Sequence, residues 1–439
     1  MSATAIILAA GFGTRMKSDL PKTLHKIAGK PMLRHLIDSC ASVFDRIVVV
    51  VGPETALVGK EAAPWPHVVQ HDRLGTAHAA LQAEAHFGEG EVAVLYADNP
   101  LITPETLQRL LDRRRAGDVG LALLAMRPAD PARYGRVIGA GGFVERIVEY
   151  KDASEAERAV GLCNAGVLCA DARRMLGWLK AVRNDNAQKE FYLTDVVELA
   201  RAEAALVAAV EAPEAELLGI NSRAEQARAE AEVQRRLREA AMDGGVTLIS
   251  PETVFFSTDT ILANDVIVGP SVVFGPKVRV EKGAEIKAFS HLENCIVRER
   301  AIIGPFARLR PGADIGPDAH VGNFVEVKAA TLGAGVKANH LSYIGDASIG
   351  ARTNVGAGTI TCNYDGFGKY RTEIGADVFV GSDSVLVAPL TIGDGAMITA
   401  GSVITADVEP DAMAFGRARQ EVRPGRAAAF RAARKKEKK

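Results

Sequence analysis

Two observations predict that this chain folds as an α/β doubly wound domain followed by a parallel β-helix. In the first half, short apolar runs alternate with amphipathic segments, which is the pattern of βαβ units around a parallel sheet. In the second half, aliphatic residues recur every six positions, a period that fits neither an α-helix nor a succession of hairpins. With 439 residues the chain is too long for one ordinary core, so we expect separate domains.

The strands predicted in the first half are almost continuously apolar, as expected for parallel strands that are covered on both faces. They are AIILA (5–9), RIVVVV (46–51), EVAVLY (91–96) and LALLAM (121–126). Amphipathic helices are predicted between them, as at 104–115, where Thr103 and Pro104 form a good helix start. Ligands of such sheets lie beyond the carboxyl ends of the strands, and Gly11–Arg15 and Asp98 both follow predicted strands.

A segment that contains neither Gly nor Pro, 222–242, predicts a helix of roughly 30 Å that links the two halves. The predicted division has four parts: a first domain at 1–221, a linker helix at 222–245, the β-helix at 246–422 and a basic C-terminal tail at 423–439. We expect the tail to be solvated and partly disordered, and the alternative is an arm that contacts nucleic acid.

The period of six in the second half predicts three short strands per coil, with each aliphatic side chain pointing inward. An ordinary sandwich with regular turns is the alternative. The aliphatic series are Val266, Val272 and Val278; Leu309, Ile315, Val321 and Val327; and Ile374, Val380, Leu386, Ile392, Ile398 and Ile404. The pattern breaks at 335–348 and at 361–373, and because insertions in a solenoid form loops that often bind ligands, we expect function there.

Composition argues against several classes of protein. The net charge of −1 gives no reason to expect a nucleic-acid or membrane partner. No apolar stretch reaches the ~18 residues of a transmembrane helix, and no signal peptide is evident. The five cysteines form no Cys-x-x-Cys pair, so we expect free thiols and a cytoplasmic location.

A glycine-rich turn, LAAGFGTRM (8–16), follows the first predicted strand and suggests a phosphate-binding loop. It lacks the third glycine of a dinucleotide fingerprint and the Gly-Lys-Ser/Thr of a Walker A loop. Arg15 and Lys22 nearby could neutralise the charge that develops in phosphoryl transfer. Asp98, at a strand end, could hold Mg²⁺ or simply form a turn, and Gly75-Thr76 opens a helix that could contact a base or phosphate.

Three histidines lie in the repeats, His291, His320 and His340. Their spacings of 29 and 20 residues are not whole coils of about 18 residues, which argues against a zinc site. His340 lies where the period breaks, close to Tyr343 in the sequence. A histidine there suits a general base that takes a proton from an amine or hydroxyl, and a purely structural role is the alternative.

Two sets of motifs, in order along nearly the whole chain, carry a resemblance to a known family. In the first half they are LAAGFGTRM…LPKTLH, QHDRLGTAHA, YADNP, YGRV, IVEYKDA, CNAGV, NAQKEFYLTD and GINSR. In the second half they are LRPGADIG, HVGNFVEVK, NHLSYIGDASIG, NVGAGTITCNYDG, FVGSD and ITAGS. Together they resemble the bifunctional N-acetylglucosamine-1-phosphate uridylyltransferase / glucosamine-1-phosphate acetyltransferase family of bacterial cell-wall precursor synthesis.

The resemblance implies a Rossmann-like nucleotidyltransferase domain and a left-handed β-helix of hexapeptide repeats that acts as an acetyltransferase. It implies UTP, glucosamine-1-phosphate, N-acetylglucosamine-1-phosphate and acetyl-CoA as substrates, Mg²⁺ as cofactor, and a homotrimer with acetyl-transfer sites between chains. Within the first domain, Arg15 and Lys22 would be catalytic, and Asp98 and Asn221 would be the metal ligands. The implied nucleotide and UDP-sugar contacts are Leu8, Ala9, Ala10, Gly11, Gly13, Lys22, Gln70, Gly75, Thr76, Tyr96, Asp98, Gly135, Glu149, Asn164 and Asn221.

In the second domain the resemblance makes His340 the catalytic base. The implied contacts to the sugar phosphate are Arg310, Lys328, Tyr343, Asn354 and Lys369. The implied contacts to acetyl-CoA are Ala357, Asn363, Tyr364, Ser382, Ala400 and Arg417. Two residues depart from the family pattern: Ala97 stands where Gly is usual and Asn99 where an apolar residue is usual, and we expect Ala97 to alter the fit of the sugar.

Two other functions stay open from the sequence. One is a single-activity sugar-1-phosphate nucleotidyltransferase whose β-helix is regulatory or trimerising, although the insertion at 361–373 and His340 argue against a mere scaffold. The other is a solenoid binding module whose tail contacts nucleic acid, which the near-neutral net charge disfavours.

Overall fold

A computed structural model of the chain describes residues 2–131, 134–141, 143–186 and 188–437. It consists of two compact units, Met1–Leu237 and Arg238–Lys439.

The first unit is built on a nine-stranded sheet, and a separate two-stranded hairpin, β2–β3, lies beside it. The strands are β1 (Ala3–Ala9), β2 (Lys26–Ile27), β3 (Lys30–Pro31), β4 (Arg46–Val51), β5 (His67–Val69), β6 (Glu91–Tyr96), β7 (Val119–Met126), β8 (Arg136–Ala140), β9 (Phe143–Val148), β10 (Cys163–Asp171) and β11 (Leu206–Glu211). The order across the sheet is β5-β4-β1-β6-β10-β7-β11-β9-β8.

The four strands predicted from apolar runs correspond to β1, β4, β6 and β7, but the sheet is not parallel throughout. Strands β5, β4, β1 and β6 run parallel, and so do β7 and β11. Strand β10 runs antiparallel between β6 and β7. Its sequence, CNAGVLCAD, is as apolar as its neighbours, and an apolar run indicates burial on both faces without indicating strand direction.

Helices cover both faces of this sheet and enclose one core on each side. The helices from residue 32 to residue 243 are α1 (Met32–Ala41), α2 (Ala56–Ala62), α3 (Thr76–Leu81), α4 (Pro104–Arg115), α5 (Glu155–Arg158), α6 (Ala172–Ala181), α7 (Val196–Ala202), α8 (Glu214–Leu217) and α9 (Arg223–Asp243), and all except α5 and α9 contribute to these two cores. Alternate side chains of β1 point into opposite cores: Ile7 packs with α1 and α4 on one face of the sheet, and Ile6 packs with Trp178 of α6 on the other. The predicted start of α4 is confirmed, because Thr103 Oγ1 accepts a hydrogen bond from Thr106 N at 3.3 Å.

Helix α9 is the helix that the sequence predicts as a linker. Two hydrogen bonds between Ser222 and Glu225 fix its start. The Glu225 carboxylate accepts a hydrogen bond from the Ser222 hydroxyl, and the Glu225 N–H donates one to the same hydroxyl oxygen at 3.3 Å. Ala229 and Val233 pack on Ile27 of the β2–β3 hairpin within the first unit. The border between the units falls inside α9, after Leu237, so the proposed boundaries at 221 and 245 stay a prediction.

The second unit is a left-handed parallel β-helix with three faces, as predicted. The first face holds Thr247–Leu248, Ile267–Val268, Glu285–Ile286, Ile302–Ile303, His320–Asn323, Lys337–His340, Asn354–Val355, Phe379–Val380, Met397–Ile398 and Met413–Ala414. The second holds Ile261–Leu262, Val278–Val280, Cys295–Val297, Asp314–Ile315, Thr331–Leu332, Ala347–Ile349, Thr372–Ile374 and Leu390–Ile392. The third holds Val273–Phe274, His291–Leu292, Arg308–Leu309, Glu326–Lys328, Tyr343–Gly345, Ile360–Cys362, Val385–Val387 and Val403–Ile404.

All members of the three predicted aliphatic series are buried in this unit, so the period of six marks the inward positions. The insertion expected at one of the two breaks, 335–348, is absent, so that expectation is wrong. Residues 335–348 stay in register with the coils on either side, as Lys337 pairs with Asn354 and Tyr343 with Ile360. A coil of 17 residues instead of 18 disturbs the spacing in the sequence without adding a loop.

The other predicted break is a true insertion. Asn354 pairs with Phe379, 25 residues later, where neighbouring coils advance by 17 or 18. The extra residues form a loop closed by an antiparallel bridge between Tyr364 and Lys369. The side chain of Phe367 at its tip is 99% exposed.

The basic tail contains a helix, α10 (Arg426–Glu437), where the sequence alone suggests an irregular segment. Its side chains are exposed as far as Lys435. Across the described part of the chain, none of the helices has the length and apolar content needed to span a bilayer.

Candidate functional site

A cavity of about 400 Å³ opens at the carboxyl ends of β1 and β6, the edge at which the sequence places the nucleotide. The predicted residues that line it are Leu8, Ala9, Ala10, Gly11, Lys22, Gln70, Gly75, Thr76, Tyr96 and Asp98. Four lining residues were not predicted: Thr23, Arg73, Ala79 and Glu190. The cavity joins segments that lie far apart in the sequence, which is expected of a ligand site in an open α/β sheet.

Lys22 joins the two predicted metal ligands. Its Nζ donates to Asp98 Oδ2 at 2.6 Å and to Asn221 Oδ1 at 2.9 Å. The Lys22 and Asp98 side chains are only 12% and 22% exposed. Two oxygen donors from residues 123 positions apart (98 and 221) therefore converge on one point, and this point accommodates a cation.

The glycine loop packs closely against the side chain of Lys22 at Gly13. Gly13 has φ +73°, and a Cβ added there would lie 2.5 Å from Lys22 Cβ. Gly11 lines the cavity, with open space where a Cβ would be. Arg15 lies in the short 3₁₀ turn Thr14–Met16, is exposed, and does not line the cavity, so the structure does not bring it to Lys22.

We expect Gly13→Ala to lower the uridylyl transfer that the resemblance implies by about tenfold or more, and to leave the implied acetyl transfer unchanged. The new methyl group meets Lys22 and the left-handed backbone is strained, at a cost of about 1–3 kcal/mol. Initial rates of pyrophosphate release and of coenzyme A release measure the two activities. Gly117→Ala is the matched control, because Gly117 has φ +64° and open space around it. An equal loss in both variants would contradict the contact with Lys22.

The turn at Gly75-Thr76, predicted to contact a base or phosphate, is held in place by the segment that follows residue 188. Gln70 is buried, and its Nε2 donates to Gly75 O at 3.2 Å. Gly75 has φ +118°, and a Cβ added at this position would lie only 2.5 Å from the carbonyl oxygen of Phe191, so only glycine fits there. Thr76 Oγ1 accepts from Leu193 N at 2.9 Å. The turn that would contact the base is therefore rigid.

A second cavity, of about 250 Å³, shares Thr76, Tyr96 and Glu190 with the first. Its other lining residues are Glu149, Tyr150, Lys151, Asp152, Gln188, Tyr192 and Thr194. Three of the implied UDP-sugar contacts are Gly135, Glu149 and Asn164, and of these Glu149 lines this cavity. Gly135 and Asn164 lie next to it, since Asn164 N donates to Gly135 O at 2.9 Å and an added Gly135 Cβ would approach the Glu149 carboxylate to 3.5 Å. Burial raises the pKa of Glu149.

Burial, with the nearby Glu198 and Glu149 carboxylates, raises the pKa of Asp195 to about 6. Because this pKa lies above its ordinary value, ionising Asp195 destabilises the folded state as the pH rises from about 4 to about 6. We expect Asp195→Asn to raise the free energy of unfolding above pH 6 by about 1–2 kcal/mol, after discounting for partial exposure, and to change it little at pH 4.

Tryptophan fluorescence in denaturant measures this effect in the first unit alone, because both tryptophans, Trp65 and Trp178, belong to it. A difference between Asp195→Asn and the unmodified protein that is the same at pH 4 and pH 8 would contradict the shifted pKa.

The two departures from the family pattern are structural. Asn99 is buried and its Nδ2 donates to Leu217 O at 2.8 Å, which ties the loop after β6 to α8. Ala97 is buried in the core and lines neither cavity. The expected effect of Ala97 on the fit of the sugar therefore has no support in the structure.

In the second unit, His340 ends a strand of the first face and is exposed. Its Nδ1 lies 2.9 Å from Oδ1 of Asn323, the residue paired with it in the preceding coil. Because an amide oxygen only accepts hydrogen bonds, Nδ1 carries the proton in this pair and Nε2 is the basic nitrogen. His340 is therefore oriented as a general base requires.

Cationic side chains gather on the third face and on the insertion. The Lys369 ammonium beside Lys328, with Arg310 nearby, lowers the pKa of Lys328. Arg310 donates to Glu326 Oε1 at 2.7 Å, whereas the two lysines repel each other, as is typical of a site built for an anion. Tyr343 is near this cluster, since it pairs in register with Glu326.

The other predicted contacts to the sugar phosphate and to acetyl-CoA lie at different places on the β-helix. Asn354 lies on the face of His340, one coil further along, and among the described residues its side chain makes no hydrogen bond or ion pair with the cationic cluster. Ala357, Ser382 and Ala400 follow one corner through successive coils, where Asp383 N donates to Ala357 O and Gly401 N to Ser382 O. Of the other three predicted acetyl-CoA contacts, Asn363 and Tyr364 lie at the insertion. Arg417 lines a hollow beyond the last complete coils.

Comparisons with known proteins place this geometry in a family. The MobA-like NTP transferase domain matches residues 5–194, and the bacterial transferase hexapeptide (six repeats) matches residues 371–406. Bifunctional protein GlmU of Gluconacetobacter diazotrophicus is 66% identical over 99% of this chain and 95% of its own length. The chain belongs to the GlmU family. GlmU proteins of Granulibacter bethesdensis and Acidiphilium cryptum are 62% and 61% identical, each over 98% of this chain and over 96% and 99% of their own lengths.

GlmU membership confirms the predicted family, fold class and two-activity function. The chain is a uridylyltransferase in its first unit and a glucosamine-1-phosphate acetyltransferase in its hexapeptide unit. The comparisons do not bear on single residues, so the residue roles stay predictions. Arg73 and Glu190 were not predicted to line the cavity, although they stand in the motifs QHDRLGTAHA and NAQKEFYLTD, and their place in those motifs is the signal in the sequence that indicates them.

Proposed function

We propose that the β-helix transfers the acetyl group from acetyl-CoA to glucosamine-1-phosphate, with His340 as the base. The sugar amine attacks the thioester carbonyl, a C–N bond forms and the C–S bond breaks. Nε2 of His340 takes the proton from the amine, and the thiolate of coenzyme A leaves and is protonated. Lys328, Lys369 and Arg310 bind the phosphate. The hydrogen bond from His340 to Asn323 supports this role, because it sets which nitrogen is basic.

The first unit then joins N-acetylglucosamine-1-phosphate to UTP. A phosphate oxygen of the sugar attacks the α-phosphorus, the bond to the β-phosphate breaks and pyrophosphate leaves. The glycine loop at 11–13 and Lys22 hold the phosphates, and the rigid turn with Gln70 and Gly75 holds the base. This catalysis is mainly positioning and charge neutralisation.

Mg²⁺ is the proposed cofactor of uridylyl transfer. The Asp98 carboxylate and the Asn221 amide oxygen meet at one cation, the Lys22 ammonium, at 2.6 and 2.9 Å. Both are oxygen donors of the kind that Mg²⁺ prefers, so the residues present fit this ion. When bound, Mg²⁺ would neutralise charge on the phosphates.

The observation that carries the proposal is the convergence of Lys22, Asp98 and Asn221 in the nucleotide cavity, together with the His340–Asn323 pair in the other unit. Two assays on one preparation test it. Acetyl-CoA with glucosamine-1-phosphate should release free thiol, and UTP with N-acetylglucosamine-1-phosphate and Mg²⁺ should release pyrophosphate. Pyrophosphate without thiol would support the single-activity alternative.

We also propose that the β-helix forms a homotrimer through a ladder of exposed apolar side chains. Phe289, Phe306 and Phe324 stack with centroids 4.9 and 5.2 Å apart, although each side chain is 45–57% exposed. Leu341, next to His340, continues the ladder in the following coil and is 62% exposed. A contiguous apolar patch of this kind is typical of an interface, and its position beside His340 suits an active site formed between chains.

Phe306→Asp should lower the mass of the particle in light scattering toward that of one chain and reduce acetyl transfer. A charge in the middle of the ladder would have to be desolvated in the interface. Phe430→Asp is the control, because Phe430 is an exposed aromatic residue of α10, outside the ladder. A Phe306→Asp protein that keeps the mass of a trimer would contradict this interface.

The cytoplasm is the proposed location. All five cysteines are free, and four of them are buried, as expected for a protein of a reducing compartment. UTP and acetyl-CoA are cytoplasmic metabolites, so both proposed reactions would have their substrates there.

A further inference from the structure

We propose that Lys22 occupies the cation position between Asp98 and Asn221 until a nucleotide binds, so that a divalent metal ion enters this site only together with the nucleotide. The inference rests on the proposed metal site and deepens it. It assigns Lys22 a second task, which is to exclude free metal from the site when no nucleotide is present.

The first argument is that the ammonium and the metal need the same oxygen atoms. Lys22 Nζ lies 2.6 Å from Asp98 Oδ2 and 2.9 Å from Asn221 Oδ1. A bound Mg²⁺ would take oxygen atoms at about 2.0–2.1 Å. Both cations cannot use these two side chains at once, since they would lie side by side with nothing between them to screen their repulsion.

The second argument is that the backbones of the two oxygen donors are anchored, whereas the lysine has a long and flexible side chain. Asp98 is held by its carbonyl oxygen, which accepts from Ile220 N at 2.8 Å. Asn221 is held by its N–H, which donates to Glu225 Oε2 at 2.7 Å. The Lys22 side chain has four rotatable bonds and lines the open cavity. The backbones that carry the two oxygen donors are therefore anchored, and the ammonium is the group that has to move away before a metal enters.

The third argument identifies what draws Lys22 away. The cavity that Lys22 lines also contains Gly11 of the glycine loop, where the phosphates of the nucleotide are proposed to lie. A triphosphate brings several anionic oxygens within reach of the ammonium and offers it a new partner. Nucleotide binding then releases Asp98 and Asn221 for the metal, and by linkage each ligand strengthens the binding of the other.

Mn²⁺ binding to the full-length protein, followed by electron paramagnetic resonance of the free ion, tests the inference without an activity assay. Without nucleotide, Lys22→Gln should bind Mn²⁺ about tenfold or more tightly than the unmodified protein, within the usual range of such couplings. Lys22→Arg, which keeps the charge, should bind it as weakly as the unmodified protein. UTP, added without the sugar phosphate, should raise the Mn²⁺ affinity of the unmodified protein much more than that of Lys22→Gln.

Arg73→Gln is the charge-matched control. Arg73 lines the same cavity, but its guanidinium pairs with Glu54 at 2.6 Å and not with Asp98. If Arg73→Gln tightened Mn²⁺ binding as much as Lys22→Gln does, the effect would be one of overall charge and the displacement of Lys22 would be refuted. It would also be refuted if Lys22→Gln bound Mn²⁺ no more tightly than the unmodified protein.

Asp98→Asn separates this inference from the proposed metal site. It should lose Mn²⁺ binding at this site with and without UTP. If Asp98→Asn binds Mn²⁺ with UTP as well as the unmodified protein does, the metal site itself is wrong. If Asp98→Asn loses binding while Lys22→Gln gains nothing, the metal site stands and only the role of Lys22 as the displaced cation is overturned.

Discussion

Replacing His340 with Ala should lower acetyl transfer by about 10²–10⁴-fold and leave uridylyl transfer unchanged. The change removes the only proposed acceptor for the proton of the attacking amine. The amine must then lose its proton to water, while the cationic residues that bind the phosphate stay in place. Thiol release should therefore show a large fall in kcat with a small change in KM for glucosamine-1-phosphate, and pyrophosphate release should keep its rate.

His291→Ala is the matched control, because His291 is an exposed histidine on another face of the same β-helix. It should keep both activities. Asn323→Ala is expected to reduce acetyl transfer less than His340→Ala does and to change its pH profile, since the hydrogen bond to Nδ1 at 2.9 Å orients the ring and sets its tautomer. A folded His340→Ala protein that lost both activities would contradict the division of labour between the units.

The inward positions of the β-helix and the glycine loop were predictable because each depends on short-range patterns. An aliphatic residue at every sixth position means burial in this fold, and all members of the predicted series are buried. The spacing could not show that 335–348 stays in the coil, since a 17-residue coil and an inserted loop disturb the period alike.

Contacts between segments that lie far apart in the chain were harder to predict from the sequence. The antiparallel β10 is as apolar as its parallel neighbours, so its direction depends on which strands it joins. The pairing of Lys22 with Asn221 spans 199 residues, and no local pattern indicates it. Arg15 illustrates the opposite case, because it adjoins the glycine loop in sequence but the 3₁₀ turn leaves it exposed, outside the cavity.

Asp98→Asn should lower uridylyl transfer by about 10²–10³-fold and leave acetyl transfer unchanged. Asparagine has nearly the same shape, so the loop after β6 should keep its position. The site loses the negative charge that pairs with Lys22, and with it the stronger of two oxygen donors for Mg²⁺. Pyrophosphate release at several Mg²⁺ concentrations measures the effect, and excess Mg²⁺ should restore little of the rate.

Asp38→Asn is the matched control, since Asp38 also pairs with a lysine, Lys30, at 2.8 Å, but on the exposed surface of the same unit. It should keep both activities, because a surface ion pair contributes little and carries no chemistry. Asp98→Asn and His340→Ala together form a test with opposite outcomes in the two assays. If Asp98→Asn released pyrophosphate at more than half the original rate, the carboxylate would not be a metal ligand. Lys22 would then be paired with it for structural reasons alone.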